Sequence, residues 1–100
     1  MTYKIVITPV AQKHIEEAII YYKNKASNKV ATMFIEDYKK TFADIQKVLY
    51  FKFFFENFRG KPMKKFPFIV FYTLDESRKI IMIKAVFNTN QDTNKYPVNK

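Results

Sequence analysis

Two apolar runs in the C-terminal half of the chain constrain its fold more than any other feature. Residues 66–74 and 80–87 each have the length of a strand and are rich in β-branched and aromatic side chains. The short polar segment 75–79 joins them, so the pair predicts a β-hairpin. This segment lacks glycine, which favours a longer loop built on a type I turn. Both runs are apolar at nearly every position, as in strands buried on both faces, so we expect the hairpin in the centre of a sheet.

The N-terminal half predicts one strand followed by two amphipathic helices. Residues 3–8 alternate bulky side chains with others, which indicates a strand. Thr8 and Pro9 are typical of a helix start, with a hydroxyl at the N-cap and proline in the first helical position. Ser27 or Asn28 caps a second helix, whose apolar residues also recur at spacings of three and four. The short connection between the two predicts an antiparallel helical hairpin.

The segment 50–58 contains five phenylalanines and is harder to assign. We expect a loop followed by a strand from about residue 54 to residue 59, with the rings used mainly for core and sheet packing. The alternative is that part of this cluster is an exposed surface that a partner covers. The resulting order is β-α-α-β-β-β. It predicts an α+β fold, with two N-terminal antiparallel helices packed on a mainly antiparallel four-stranded sheet. Residues 1–100 are expected to form a single domain, with residues 88–100 as a polar C-terminal tail.

Positive charge is concentrated towards the C-terminal end. The net charge is +9, of which +3 comes from residues 1–58 and +6 from residues 59–100. The densest basic segment is 59–65, which we expect to be turn-like. A field of this sign favours nucleic acid, an acidic protein or an anionic surface as the partner, without choosing among them.

Several classes of site and location are disfavoured by composition. The chain has no cysteine, which excludes a disulfide scaffold and a thiolate zinc site. Its one histidine, His14, provides no metal cluster and is expected at the surface or at the boundary of the core. No cofactor or metal is expected. No apolar run approaches the roughly 20 residues of a spanning helix, and the N-terminus does not resemble a signal peptide. We therefore expect a cytoplasmic protein that does not engage a membrane.

Three segments together carry a family likeness. Residues 3–11 are similar to a first strand and helix start, residues 64–72 to a third strand, and residues 85–92 to a last strand and tail motif. In this order, and across about residues 2–96, the chain resembles the RelE/ParE superfamily of bacterial toxins from type II toxin–antitoxin systems. The resemblance implies a small α+β domain that inhibits growth and is neutralised by a cognate antitoxin, which we expect to be acidic.

The resemblance implies two alternative targets. Some family members cleave mRNA on the ribosome, and others poison DNA gyrase. A toxin–antitoxin hetero-oligomer or a homo-oligomer is expected. We favour a ribosome-dependent mRNA endonuclease, because a basic edge suits an RNA backbone. The alternatives are a gyrase inhibitor without catalytic chemistry, or an inactive homologue that only binds its antitoxin.

At two positions the chain departs from the family pattern. Many members end the last strand with His, two small residues and Arg, whereas this chain has Asn88 and Gln91 at those positions. Asparagine cannot take up and return a proton near neutral pH as histidine can. Glutamine lacks the fixed positive charge that would face a phosphate. Both differences weaken the nuclease interpretation without excluding it.

The remaining basic and aromatic residues supply the candidates for a metal-independent RNA cleavage. In that reaction a base activates a 2′-hydroxyl, cations stabilise the pentacoordinate phosphate, and an acid protonates the leaving oxygen. The predicted catalytic residues are Arg59, Lys65 and Tyr96, with Glu56 as a further possible base. The predicted RNA- or phosphate-binding residues are Lys61, Lys64, Lys84, Asn88 and Gln91. The alternative is structural: a solvated basic loop, turn residues at 88 and 91, and Tyr96 as a packing residue of the tail.

Overall fold

The secondary structure follows the predicted order, with one strand more than expected. The computed structural model describes residues 2–55 and 57–89. Its elements are β1 (Lys4–Ile7), α1 (Pro9–Lys25), α2 (Asn28–Val48), β2 (Phe53–Phe55), β3 (Phe58–Pro62), β4 (Phe68–Asp75) and β5 (Ile80–Asn88). Neither helix has the length and apolar character needed to cross a membrane, a finding that covers the described residues.

Both helices begin at the predicted caps. The Thr8 hydroxyl accepts a hydrogen bond from the Ala11 amide, and it donates one of 2.7 Å to the Ile83 carbonyl. This second bond ties the start of α1 to β5. The Ser27 hydroxyl caps α2 by accepting from the Val30 amide at 3.1 Å. Helix α2 ends where Leu49 adopts a positive φ of 65°, a conformation that terminates a helix.

The strands form one mixed sheet in the order β1-β5-β4-β3-β2. Strand β1 pairs in parallel with β5, and the other pairs are antiparallel. The β4–β5 hairpin therefore occupies the interior of the sheet, as the sequence predicts. It closes at the Asp75–Ile80 pair, and Lys79 takes a positive φ of 58° in the intervening turn.

Strand β4 is buried on both of its faces. Phe68, Val70 and Tyr72 face the helices and join the helix-covered core. Ile69 and Phe71 face the other side of the sheet. There they pack against a second aromatic group, whose partly buried members are Phe54, Phe55, Phe58 and Phe87. The two-sided burial explains why β4 is apolar at nearly every position.

The prediction for residues 54–59 is wrong in one respect. Instead of one strand, the structure has two short antiparallel strands, β2 and β3, which pair Phe53 with Arg59 and Phe55 with Phe58. Much of the basic segment that was expected to be a turn lies in β3. The absence of a Cβ at Gly60 allows this arrangement, because a Cβ at this position would lie 2.6 Å from the Phe54 Cδ1 atom. Glycine has no Cβ and admits the contact.

Candidate functional site

Strand β3 places two of the predicted cations on the same face of the sheet. Arg59 pairs with Tyr72, and Lys61 pairs with Val70. Directly paired residues of neighbouring strands share a face. Tyr72 and Val70 belong to the helix-covered core, so Arg59 and Lys61 lie on the helix side of the sheet.

Arg59 contacts two aromatic rings and a backbone carbonyl. Its Nη1 donates a hydrogen bond of 2.8 Å to the Phe51 carbonyl. Its Cζ lies 3.9 Å from the centre of the Phe53 ring and 5.1 Å from that of Tyr50. Both distances are within the range of cation–π attraction. The guanidinium is therefore fixed in position although it lies near the surface.

Two lysines repeat the pairing of a cation with a ring. Lys52 Nζ lies 5.3 Å from the centre of the Phe54 ring, and Lys61 Nζ lies 5.4 Å from that of Phe51. We refer to residues 50–54 together with Arg59 and Lys61 as the cation–aromatic edge. It lies at the β2 end of the sheet, next to the C-terminus of α2.

Tyr72 fixes the backbone of the cation–aromatic edge through two hydrogen bonds. Its hydroxyl donates to the Leu49 carbonyl at 2.6 Å and accepts from the Phe51 amide at 3.2 Å. The side chain is fully buried, and this burial raises the pKa of Tyr72, so the phenol stays protonated and can donate. Residues 49–51 are thereby held against the sheet, together with the carbonyl that Arg59 uses.

Tyr50 is oriented by a carboxylate despite its exposure. Its hydroxyl donates to Glu76 Oε2 at 2.8 Å. This hydrogen bond is the main cause that raises the pKa of Tyr50 to about 12. Neither Tyr50 nor Tyr72 was among the site residues that the sequence predicted. For Tyr72 a signal existed, because a phenol in the middle of a buried strand requires a hydrogen-bond partner.

Comparisons of the whole chain identify its fold. No protein-family model matches the sequence, and a search of curated proteins finds no significant match. Among solved structures, a chain of the chromosomal ParDE toxin–antitoxin system from P. aeruginosa matches with a TM-score of 0.77 at 14% identity, over 88% of this chain and 97% of that one. The chain has a RelE/ParE-like fold.

A second structural match agrees with this result. A chain of the toxin–antitoxin complex RelBE2 from Mycobacterium tuberculosis matches with a TM-score of 0.58 at 12% identity. The match covers 88% of this chain and 99% of that one. The α+β fold that the sequence resemblance implied is therefore confirmed, and it carries a fifth strand.

Within this RelE/ParE-like fold, Lys64 and Lys65 lie farther along the same side. The Lys65 amide donates a hydrogen bond of 2.8 Å to Oδ2 of the buried Asp37, in the middle of α2. Asp37 precedes Leu49 by about 18 Å along the helix, at roughly 1.5 Å per residue. The side chains of Lys64 and Lys65 are exposed. The backbone of Lys65 therefore lies along α2 at a distance from the cation–aromatic edge that contains Arg59.

Lys84 lies two strands away from Arg59. The pairs Phe71–Ala85 and Tyr72–Ile83 leave Lys84 as the extra residue of a β-bulge in β5. Strand β4 lies between β5 and β3, so the structure separates Lys84 from Arg59. The strand order and the bulge are set by tertiary pairing, which no local pattern in the sequence shows.

Asn88 is the last residue of β5, where it pairs with Phe68. It lines a groove of about 490 Å³ between α1 and the end of β5, together with His14, Glu17, Ala18, Tyr21, Phe68, Val86 and Phe87. Gln91 and Tyr96 lie outside the described residues, as does Glu56. Of the candidate site residues Asn88, Gln91 and Tyr96, only Asn88 can therefore be located.

His14 connects the two walls of this groove. Its Nδ1 accepts a hydrogen bond of 3.2 Å from the Val86 amide, and its ring centre lies 4.9 Å from that of Phe87. Burial lowers the pKa of His14, against the opposing effect of Glu17. The imidazole therefore serves as a neutral acceptor at the boundary of the core. No group of three His, Asp or Glu side chains in the described part of the chain could hold a metal ion.

Proposed function

We propose that this chain is the toxin of a type II toxin–antitoxin pair, and that it inhibits growth until a cognate acidic antitoxin binds it. The likeness of fold carries this proposal. It spans nearly the whole of two chains that come from toxin–antitoxin complexes, with TM-scores of 0.77 and 0.58. The net charge of +9 supports an acidic antitoxin, because charge complementarity speeds and orients association.

The acting surface in this proposal is the cation–aromatic edge with the neighbouring Lys64 and Lys65. Its geometry favours inhibition by binding. The Arg59 guanidinium is engaged by a carbonyl and two rings, so it presents a fixed charge to a partner. The Lys65 backbone contacts the middle of α2, away from Arg59, and such a separation of the two predicted catalytic cations suits an extended anionic partner. DNA gyrase or the ribosome with its mRNA is the target class in this proposal.

A ribosome-dependent mRNA endonuclease is the second candidate. One observation favours it: Arg59 and Lys61 lie on one face of β3 and can address a single phosphate group together. In this candidate Lys65 and Tyr96 would complete the catalytic set, with Lys64, Lys84, Asn88 and Gln91 contributing to binding.

Inducible expression in a bacterial host tests the toxin assignment. We expect growth arrest on induction and recovery when the short open reading frame adjacent to the gene is co-expressed. Folded, abundant protein with no effect on growth would overturn the proposal and leave a homologue that only pairs with its antitoxin.

Two further measurements separate the modes of action. Mapping of mRNA ends in a translating extract should show no new codon-linked cleavage if the chain acts by binding alone. Supercoiling by DNA gyrase should be inhibited if gyrase is the target. New cleavage that disappears in Arg59→Gln would instead establish the endonuclease.

A further inference from the structure

The cation–aromatic edge exposes large aromatic rings to solvent. Tyr50 is 53% exposed and Phe53 is 52% exposed. They are neighbours in space, because the Arg59 guanidinium lies within 5.1 Å of both ring centres. Single exposed apolar residues are ordinary, but adjacent exposed rings mark a surface that binds something.

The rings are rigidly presented. Tyr50 is tethered through its hydroxyl to Glu76, and Phe53 is stacked on Arg59. Arg59 is in turn fixed by the Phe51 carbonyl, which Tyr72 holds in place through the Phe51 amide. The guanidinium carbon lies 3.9 Å from the ring centre of Phe53 and 5.1 Å from that of Tyr50, and about half of each of these side chains remains exposed to solvent. A flat ligand can stack there without a prior rearrangement of the protein.

The charge of this surface is positive. On the face that carries Phe53, strand β3 presents the cations Arg59 and Lys61. The carboxylate of Glu76 is engaged by Tyr50. The ligand class that pairs flat π-faces with regularly spaced negative charge is unpaired nucleic acid. In a duplex the bases are stacked on one another, so only the terminal base pairs have a face that a protein ring can contact.

We propose that the cation–aromatic edge binds a single strand of nucleic acid, whose bases stack on Phe53 and Tyr50 while its phosphates contact Arg59 and Lys61. This names the ligand class of the surface to which the proposed function assigns the activity. It rests on the geometry of the edge and does not need the toxin assignment, since a chain without effect on growth can still bind a strand.

The test measures the fluorescence anisotropy of labelled 12-nucleotide strands mixed with the purified full chain. The probes are oligo-U, oligo-dT and a blunt duplex, and the two single strands distinguish RNA from DNA. We expect both single strands to bind more tightly than the duplex. Phe53→Leu keeps an apolar side chain but removes the flat ring, and it should weaken single-strand binding by about 5-fold to 100-fold, the range of one base–aromatic stack.

Matched variants separate stacking from general effects. Tyr21 on α1 is 55% exposed, comparable to Phe53, so Tyr21→Leu controls for loss of an exposed ring and should leave the affinity unchanged. Lys61→Gln should reduce the slope of log affinity against log salt by about 0.7, the value for one phosphate contact on a single strand. The exposed Lys29 at the start of α2 provides the charge control, and Lys29→Gln should leave that slope unchanged.

Three results would overturn the proposal. The first is equal affinity for duplex and single strands, and the second is equal weakening by Phe53→Leu and Tyr21→Leu. In the third, Phe53→Leu loses antitoxin binding and keeps strand binding. This result would show that the edge is a protein interface. Thermal unfolding of each variant, with an unchanged midpoint, shows that the fold is intact. Growth arrest is scored separately, so failure of strand binding and failure of the toxin assignment remain distinct.

Discussion

Aromatic rings have different packing partners in the helix-covered core and at the cation–aromatic edge. In the core, Phe34 is fully buried, and its ring centre lies 5.1 Å from that of Phe68 and 5.4 Å from that of Phe66. At the edge, Phe53 is half exposed and its ring partner is the Arg59 guanidinium. The Phe34 ring therefore packs against other rings, whereas the Phe53 ring packs against a charge.

The difference shows where each ring contributes free energy. A ring surrounded by apolar side chains transfers its whole surface out of water and stabilises the fold. A ring beside a guanidinium keeps one face in water and gains only a cation–π contact. The edge therefore keeps exposed apolar surface that a ligand can bury, whereas the apolar surface of the core is already buried in the folded protein.

Truncation of one ring from each region tests this comparison most directly. Phe34→Ala should lower the free energy of unfolding by about 3–5 kcal/mol, because it opens a cavity among buried rings. Phe53→Ala should lower it by about 1 kcal/mol or less, the range of an exposed cation–π contact. Urea unfolding followed by circular dichroism measures both.

A loss for Phe53→Ala close to that for Phe34→Ala would contradict the comparison. A domain of this size has a total stability of only about 5–15 kcal/mol, so Phe34→Ala can leave too little folded protein to measure. Phe34→Leu then serves as the milder variant, and it should still cost more than Phe53→Leu.

Tyr72 links the two regions, and removal of its hydroxyl should loosen the edge. Tyr72→Phe keeps the buried ring but leaves the Leu49 carbonyl and the Phe51 amide without their shared partner. We expect a loss of about 1–3 kcal/mol in the free energy of unfolding, as for unpaired buried polar groups. Hydrogen exchange should also show faster exchange of the Phe51 amide. Tyr21→Phe on α1 is the exposed control, and an equal loss in both variants would show that the Tyr72 hydrogen bonds are not the cause.

Gly60 tests how closely the outer aromatic group is packed. A Cβ at residue 60 would lie 2.6 Å from Phe54 Cδ1 and 3.2 Å from Ile69 Cγ2. Gly60→Ala should therefore displace the Phe54 ring and cost about 1–2 kcal/mol, as overpacking does. The double variant Gly60→Ala/Phe54→Leu should recover part of this loss in a double-mutant cycle. An additive double variant would show that the ring is not the obstacle.

Most of the fold follows from helix caps and from the pattern of apolar residues, both of which can be read from the sequence. The caps at Thr8 and Ser27 and the continuous apolar runs of β4 and β5 are local signals, and each is confirmed. The split of residues 53–62 into two strands has a weaker signal. Phenylalanine at 53, 54, 55 and 58 favours a strand on both sides of Asn57, so strand propensity alone does not locate the turn between β2 and β3.

The candidate site was predictable only in part. Arg59 and Lys61 share a face because they are two residues apart in a strand, which a correct strand assignment would have shown. Lys84 was expected to join them, but the bulge in β5 and the strand order are set by tertiary pairing. The hydrogen bond between His14 and Val86 joins residues 72 positions apart, and no local pattern encodes such a contact.

His14 gives the smallest predicted effect, a pH dependence confined to the α1–β5 groove. Burial lowers the pKa of the folded-state imidazole below its ordinary value of 6.5, so the unfolded chain binds a proton more readily than the folded one. The stability that the neutral His14 contributes is fully present above pH 6.5. It declines as the pH falls below that value, and the decline levels off below the folded-state pKa. Protonation of Nδ1 also removes the acceptor for the Val86 amide.

Unfolding midpoints of wild type and His14→Gln between pH 8 and pH 5 measure this effect. The other charged groups near the ring on α1 are Glu17, which favours the protonated form, and Lys13, which opposes it. On the facing β5 strand the groove is lined by Val86, Phe87 and Asn88, none of which titrates in this range. Wild type should therefore lose more stability than His14→Gln as the pH falls, while Phe53→Leu should follow wild type. Parallel pH profiles for wild type and His14→Gln would show that the imidazole contributes equally in both protonation states, and the link between α1 and β5 would then depend on packing alone.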